Sequence, residues 1–311
     1  MVQTIITRTI SSLLVIVGSL TLVFAIFYLL PGDPVLSMID PTYATPEMIE
    51  NLRVQLGLDQ PFYIQFGHYL ADMLHGDFGV SMVNSDPVLP KILANFPSTL
   101  ILTLSSTCIA VIIGVVLGIL SAVHRNGWID IVARTVGLFG ISMPTFWSGI
   151  LLILIFSIQL GWFPAMGSEG ISTLVLPAIT LGIVGAGFVI RMVRNSMLEV
   201  LSEPFITTLR AKGISRHVIM YKHALRNALI PVVTVVGMQI GEMLAGTVVI
   251  ETVFSRQGIG RILADAIMAR DIPVVQGVVF FTAILYVVIN LLVDISYTYI
   301  DPRIRRSSTS R

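Results

Sequence analysis

The sequence predicts an all-α membrane protein, six spanning helices with a small helical cap on the outer side. Three observations predict it. Of 311 residues, 55% are hydrophobic and only 12% are charged, about half the charge a soluble domain carries. Mean hydropathy is +0.88. The chain also holds six apolar stretches, each near the roughly 20 residues that cross about 30 Å of hydrocarbon as a helix. Together these exclude a soluble enzyme and a disordered chain. A net charge of +1 offers no broad basic field for a polyanion, so the bilayer is an expected partner and nucleic acid is not. The single cysteine, Cys108, excludes a disulfide framework and a multi-cysteine metal site. Within its apolar run it reads as a small core residue.

The first stretch covers about 9–30 and stops at Pro31-Gly-Asp-Pro34. Its apolar run is too long for a secretory signal and no small-x-small cleavage site follows, so it reads as a retained anchor. The other spans cover about 99–123, 131–160, 171–190, 228–250 and 274–300. Pro144 and Pro177 fall inside the third and fourth, where the missing N–H and the ring kink or split a helix. Gly114-x-x-x-Gly118 and Gly237-x-x-x-Gly241 let backbones approach closely, and packing within one subunit is their expected use.

Lysine and arginine set the orientation. With the N-terminus in the cytoplasm, only five of the 19 basic residues, Arg53, Lys91, Arg256, Arg261 and Arg270, lie outside. The opposite topology inverts the ratio. Six spans put the C-terminus, with its basic Asp301-Pro-Arg-Ile-Arg-Arg306 tail, on the cytoplasmic side as well.

Residues 31–97 then form an extracytoplasmic cap too small to be an enzyme domain. Thr45 caps a first helix with Pro46 at its first position and Glu47 next. Met48, Leu52 and Leu56 share its face and Gly57 ends it. A second helix begins near Pro61, carries Phe62, Phe66, Tyr69, Leu70 and Met73 on one face, and stops at Gly76. On this helix His68, Asp72 and His75 fall at i, i+4 and i+7. That stripe fits either a set of metal ligands or an ordinary polar face, and the polar face is the reading preferred.

The second large loop, 191–227, is cytoplasmic. Pro204 opens a short helix through about Ala211, Gly213 breaks it, and a further helix runs toward the fifth span. Spacing alone leaves two readings level, a helix that docks in a partner's groove and a basic loop that merely obeys topology. The chain has no G-x-x-x-x-G-K-[ST], no H-E-x-x-H and no G-x-S-x-G, so it brings neither its own ATP site nor a recognisable hydrolase. An intramembrane enzyme is the remaining chemical alternative. Two acids sit within spans: Glu242, a candidate for the translocation path facing the bundle or the passage, and Asp294, a candidate structural ion pair with Arg134 or Arg191.

The cytoplasmic loop resembles the coupling loop of binding-protein-dependent ABC importer permeases, through Arg210-Ala-Lys-Gly213 and His223-Ala-Leu-Arg-Asn-Ala-Leu-Ile-Pro231. Thr207-Thr208-Leu209 departs from that family's usual Arg-Thr-Ala. The likeness extends through Leu30-Pro-Gly-Asp-Pro34, Leu56-Gly-Leu-Asp-Gln-Pro61, Gly76-Asp-Phe-Gly-Val-Ser81, Phe254-Ser-Arg-Gln-Gly-Ile-Gly260, Arg270-Asp-Ile-Pro-Val-Val-Gln276, Asn290-Leu-Leu-Val-Asp294 and Asp301-Pro-Arg-Ile304. Arg256-Gln257 stands where the family often has Trp-Pro. The chain thus resembles the first, or B-type, permease of the dipeptide, oligopeptide and nickel branch over its whole length, with the bundle of a type I importer. The resemblance implies a transport subunit with no catalytic residue and no cofactor of its own. Its coupling residues would be Pro204, Thr207, Thr208, Arg210, Ala211, Lys212, Gly213, His223 and Asn227. It implies a second permease, two cytoplasmic P-loop ATPases carrying ATP and Mg, and an extracytoplasmic solute-binding protein. The setting is a bacterial or archaeal cell membrane. Dipeptides or oligopeptides are the expected cargo, with nickel, another chelated metal or glutathione as alternatives.

Overall fold

The computed structural model describes residues 2–29, 35, 45–55 and 57–300, without the side chains of 2–9, 11–12 and 294–300. The Pro31–Pro34 stop, Leu56 and the basic C-terminal tail lie outside the described residues. The apolar runs become helices α1 (Val2–Leu29), α4 (Val88–Val123), α5 (Trp128–Ser142), α6 (Thr145–Leu152), α7 (Ser172–Leu201), α10 (Leu225–Val253) and α12 (Ile272–Ile300). Between them lie α2 (Pro46–Gln55), α3 (Phe62–His75), α8 (Pro204–Ala211), α9 (Arg216–Val218) and α11 (Ile259–Ala269). Among the described residues the only extended pairing is an isolated bridge between Val80 and Pro87.

Four helical runs are long and apolar enough to cross a membrane: Val88–Val123, Ser172–Leu201, Arg216–Val253 and Ile272–Val293. Helices α5 and α6, the latter extended by a π-helical turn over Ile153–Gln159, pass that test as one span bent by 109°. The break is at Pro144, which splits the third span as its chemistry requires. Pro177, Pro97 and Pro231 instead sit inside continuous helices. Helix α1 adds the apolar stretch Leu13–Leu29, and this set is consistent with six spans. The second span begins at Val88 rather than near Thr99, and the fifth is helical from Arg216. Helix α11 had no counterpart in the sequence reading.

The chain divides into two compact units. The first comprises 1–97 and 258–288. Its core joins Leu20 and Phe24 of α1, Tyr69 and Met73 of α3, and Val274, Val278 and Phe280 of α12. The aromatic face of α3 packs as its spacing predicts: Phe24 meets Phe62 and Phe66 at 5.3 Å and Tyr69 at 5.5 Å. Helix α3 ends on Gly76 at φ 82°, and Gly57 at φ 65° follows α2. Thr45 caps α2, its Oγ1 accepting from Met48 N–H at 3.3 Å, yet α2 buries no side chain. Asp271 is buried. It accepts hydrogen bonds from Ser81 Oγ and, at 3.0 Å, from Met82 N–H, pinning the 81–82 turn beside the start of α12.

The second unit comprises 98–257 and 289–311. Helix α7 is its centre: 61% of its most apolar stretch is buried, against 28% for α4. Small residues make this possible. A Cβ on Gly118 would lie 2.6 Å from Val193 Cβ, one on Gly114 would strike Val189, and one on Gly237 would strike Val293. Gly114, Gly118 and Gly237 therefore serve packing inside the subunit. Gln239 Nε2 donates to Gly185 O at 3.1 Å and Ser196 Oγ to Ala228 O at 2.9 Å, tying α10 to α7. Cys108, read as a core residue, is exposed on α4. Its helix is apolar on the outward face too, so hydrophobicity alone did not tell inside from outside.

Candidate functional site

Helix α7 ends at Leu201, and the chain turns through Ser202 and Glu203 into α8. Pro204 occupies the first helical position, where its fixed φ and missing N–H suit a helix start. Ile206 is fully buried in a cluster with Met197, Ile219 and Ala224, and Leu209 packs against it. The other face, Phe205, Thr207, Thr208, Arg210, Ala211 and Lys212, is exposed. Gly213 N–H donates to Arg210 O at 3.0 Å and Ile214 N–H to Leu209 O at 3.2 Å. These bonds close the helix around Gly213 at φ 77°, the left-handed end that favours glycine. A Cβ there would meet nothing within 4 Å.

The structure thus gathers Pro204, Thr207, Thr208, Arg210, Ala211, Lys212 and Gly213 on one anchored, outward-facing element. His223 lies further on, half-buried in a π-helical turn over Ile219–Ala224. Asn227 is exposed and donates to His223 O at 2.8 Å, on the run leading into α10. These two belong to the base of the loop rather than to α8.

Glu242 is exposed on α10. It does not point into this chain's own bundle, one of the two directions its neighbour Gly241 suggested. Asp294 has its side chain outside the described residues. Its suggested partners are engaged elsewhere: Arg134 Nε lies 3.4 Å from Asp130 Oδ1, and the Arg191 guanidinium lies 5.6 Å from the centre of the Phe188 ring. On α3, His75 Nδ1 lies 2.7 Å from Ala71 O. Among the described residues no three His, Cys, Asp or Glu side chains group closely enough to hold a metal ion, so the His68, Asp72 and His75 stripe does not converge on one point.

Two buried charge sites escaped the sequence reading. Asp130, in the first turn of α5, is fully buried. Its carboxylate accepts from Arg194 Nε at 2.8 Å and Nη2 at 3.0 Å, from Ser121 Oγ at 2.6 Å and from Asn126 N–H at 2.9 Å. Glu251 is fully buried near the end of α10 and accepts from Thr99 Oγ1 at 2.6 Å. Arg256 follows it, 4% exposed. Burial pushes its guanidinium down from the ordinary arginine range while the Glu251 charge pulls it up. Gln257 N–H donates to Ser168 Oγ at 2.6 Å and Gly167 N–H to Phe254 O at 3.2 Å, so the 167–168 loop straps this turn down. An acid one turn before a helix end, with an arginine five residues later, was the available signal. Thr99→Val removes a donor from a buried carboxylate and is expected to cost about 1–3 kcal/mol, read as a lower unfolding temperature of the detergent-purified chain.

The chain is similar to known proteins over most of its length. Residues 114–306 match the family described as "Binding-protein-dependent transport system inner membrane component", and residues 1–103 match its N-terminal companion. The chain is 45% identical over 284 residues to the glutathione transport system permease protein GsiC of Escherichia coli K12, covering 91% of this chain and 92% of that protein. It is 46% identical to the GsiC of Salmonella choleraesuis SC-B67 over the same shares. Among solved structures, an inward-facing MetNI methionine ABC transporter chain superposes with a TM-score of 0.61 at 21% identity, over 70% of this chain and 99% of that one. At that identity the likeness concerns the fold.

Proposed function

Because the chain belongs to the binding-protein-dependent transport system inner membrane components, the permeases of ABC importers, we propose that its 204–213 loop is where ATP-driven motion enters the bundle. The single observation that carries this is α8, a short helix held by buried Ile206, exposed on its other face and closed by left-handed Gly213. Two P-loop ATPase subunits binding ATP and Mg supply the work. A second, homologous permease completes the path and an outer solute-binding protein delivers cargo. The chain performs no chemical step; it is a bistable bundle whose two states the ATPases bias. Both termini are cytoplasmic, which puts α8 on the ATPase side. Glu242, an exposed ionisable group in a span, faces the second permease or the passage. The cargo is a short peptide: the GsiC relatives are named for glutathione, a tripeptide, and this favours peptides over nickel.

Purification in mild detergent tests the reading. A P-loop ATPase and a second permease are expected to accompany the tagged chain, and a chain that never brings an ATPase overturns it. Gly213→Arg forces a bulky residue into a left-handed conformation, at about 1–3 kcal/mol, on the face assigned to the ATPase. It is expected to lower cargo-stimulated ATP hydrolysis at least about tenfold, since 1.4 kcal/mol is a factor of ten. Unchanged stimulation would remove the loop from the coupling path.

A further inference from the structure

A cavity of about 790 Å³ lies within the first unit, between the end of α1, the turn from α2 to α3 and the start of α12. Aromatic rings form one wall: Phe24, Phe27, Tyr28 and Tyr69 line it. Phe24 and Tyr69 are buried and stack at 5.5 Å, and Tyr69 Oη donates to Gln276 O of α12 at 3.5 Å. Three helices therefore hold that wall in place. The remaining lining carries charge of both signs, Arg53 from α2, Asp72 from α3 and Asp77 just after it. Arg53 Nη1 lies 3.3 Å from Glu50 Oε2 with both side chains open to water, a weak surface pair that a ligand carboxylate can replace. Asp72 makes no hydrogen bond or ion pair among the described residues, and Asp77 accepts from Gly79 N–H at 2.9 Å. The His68 and Asp72 part of the polar stripe on α3 thus faces this cavity, and His75 does not line it.

We propose that this cavity binds one short peptide with both termini free, its carboxylate on Arg53, its ammonium on Asp72 with Asp77 beside it, and its middle against the rings. Three features carry this. Opposite charges from separate elements face one space, which suits the two ends of a zwitterion. A guanidinium matches a carboxylate in geometry as well as in charge, and an ammonium is attracted by ring faces as well as by acids. The volume lies within the range of sites that hold small molecules. Other ligand classes fit less well. Two acids beside one arginine disfavour phosphate or any simple anion. A metal ion needs ligands that converge, and among the described residues no three do so. The inference deepens the proposed peptide cargo and rests on that reading only for treating the bound peptide as cargo.

The test is calorimetric titration of the tripeptide Ala-Phe-Ala into the full-length chain in lipid nanodiscs, without ATPase or solute-binding protein. Saturable binding of one peptide per chain is expected. Capping either end removes a charge-assisted hydrogen bond, so the N-acetylated peptide and the C-terminal amide should each bind about tenfold more weakly. Each penalty should depend on one side chain. R53Q is expected to bind the free peptide and its amide within about twofold of each other while still rejecting the acetylated form. D72N is expected to lose most of the acetylation penalty and to keep the amide penalty. R53K, which keeps the charge, should retain a preference for the free carboxylate. Arg53 and Asp72 are both open to water, so these variants should unfold at the wild-type temperature. No saturable binding in the wild type, equal binding of a doubly capped peptide, or capping penalties unchanged in R53Q and D72N would overturn the proposal. ATPase co-purification reads the transport assignment separately. A chain that brings its ATPase yet binds no peptide loses only this site. One that binds the peptide by these rules yet never brings an ATPase keeps the site and loses the coupling assignment.

Discussion

Gly187→Leu is expected to yield no folded permease, and Gly187→Ala to lower the unfolding temperature by about 2–5 °C or more. Gly187 lies on α7 where that helix meets α5. A Cβ placed there would strike the carbonyl oxygen of Gly137 and lie 2.8 Å from Ile141 Cγ1. On the facing helix, a Cβ on Gly140 would lie 2.6 Å from Ile183 O. The obstacles include backbone on both sides. Backbone cannot rotate away as a side chain can, so the two helices must separate along their length. Overfilling a packed interior costs about 1–3 kcal/mol when side chains yield and more when they cannot. Fluorescence-detected size exclusion after a heating series reads both variants. Gly67→Ala is the control: it lies within α3 with nothing within 4 Å of a new Cβ, and it is expected to leave the unfolding temperature unchanged or slightly raised. A wild-type profile for Gly187→Ala would mean that α5 and α7 are not packed backbone to backbone.

The same helix pair shows which parts of the molecule are legible in one dimension. Spans, caps and breaks were, because each rests on local chemistry. Pro204 and Gly213 bracket α8 where their φ preferences require, and Phe62, Phe66 and Tyr69 meet α1 as their helical spacing demands. Pro144 splits its span while Pro177 does not, a difference that depends on what neighbouring helices tolerate and that no local rule supplies. Burial inside a membrane protein was the least legible quantity. Cys108 sits in an apolar run yet faces outward, because lipid accepts what a core accepts, while the buried face of α4 includes Thr99, Thr103, Ser106 and Ser121. Acids depart from their type in the opposite direction. Glu251 and Asp271 are charged groups in sequence, yet both are buried on specific donors, Thr99 for one and Ser81 with Met82 for the other. Their partners are 152 and 190 residues away in sequence, so only the fold brings them together. In the 191–227 segment the short helix from Pro204 and its glycine end were legible in the sequence, while His223 and Asn227, counted among the same candidate residues, sit on the following run.

Asp130→Ala is expected to be the most damaging single charge removal in the second unit. Asp130 is fully buried and Arg194, its partner, is 16% exposed. Taking away the carboxylate leaves a guanidinium without its acceptor in a site that water reaches poorly, and also strips Ser121 Oγ and Asn126 N–H of theirs. Breaking a buried pair from one side costs about 3–5 kcal/mol, so the unfolding temperature should fall by about 5–8 °C. Asp130→Asn keeps the shape and an acceptor for Ser121 while losing the charge, and should fall between. The double variant D130A/R194A tests whether the cost lies in the orphaned cation: it is expected to recover about 1–3 kcal/mol relative to Asp130→Ala. The placement gives the pair a second consequence. Ser121 lies near the end of α4, Asp130 at the start of α5, and Arg194 two turns before α7 gives way to the turn into α8. The carboxylate therefore joins three helix ends at the root of the loop proposed to couple to the ATPases. On that proposal, motion entering through α8 reaches the bundle as a rigid displacement only while those ends hold together. D130A/R194A should consequently recover stability without recovering cargo-stimulated ATP hydrolysis in the assembled transporter. Recovery of both would show that the pair acts on stability alone and that the force from α8 travels by another route.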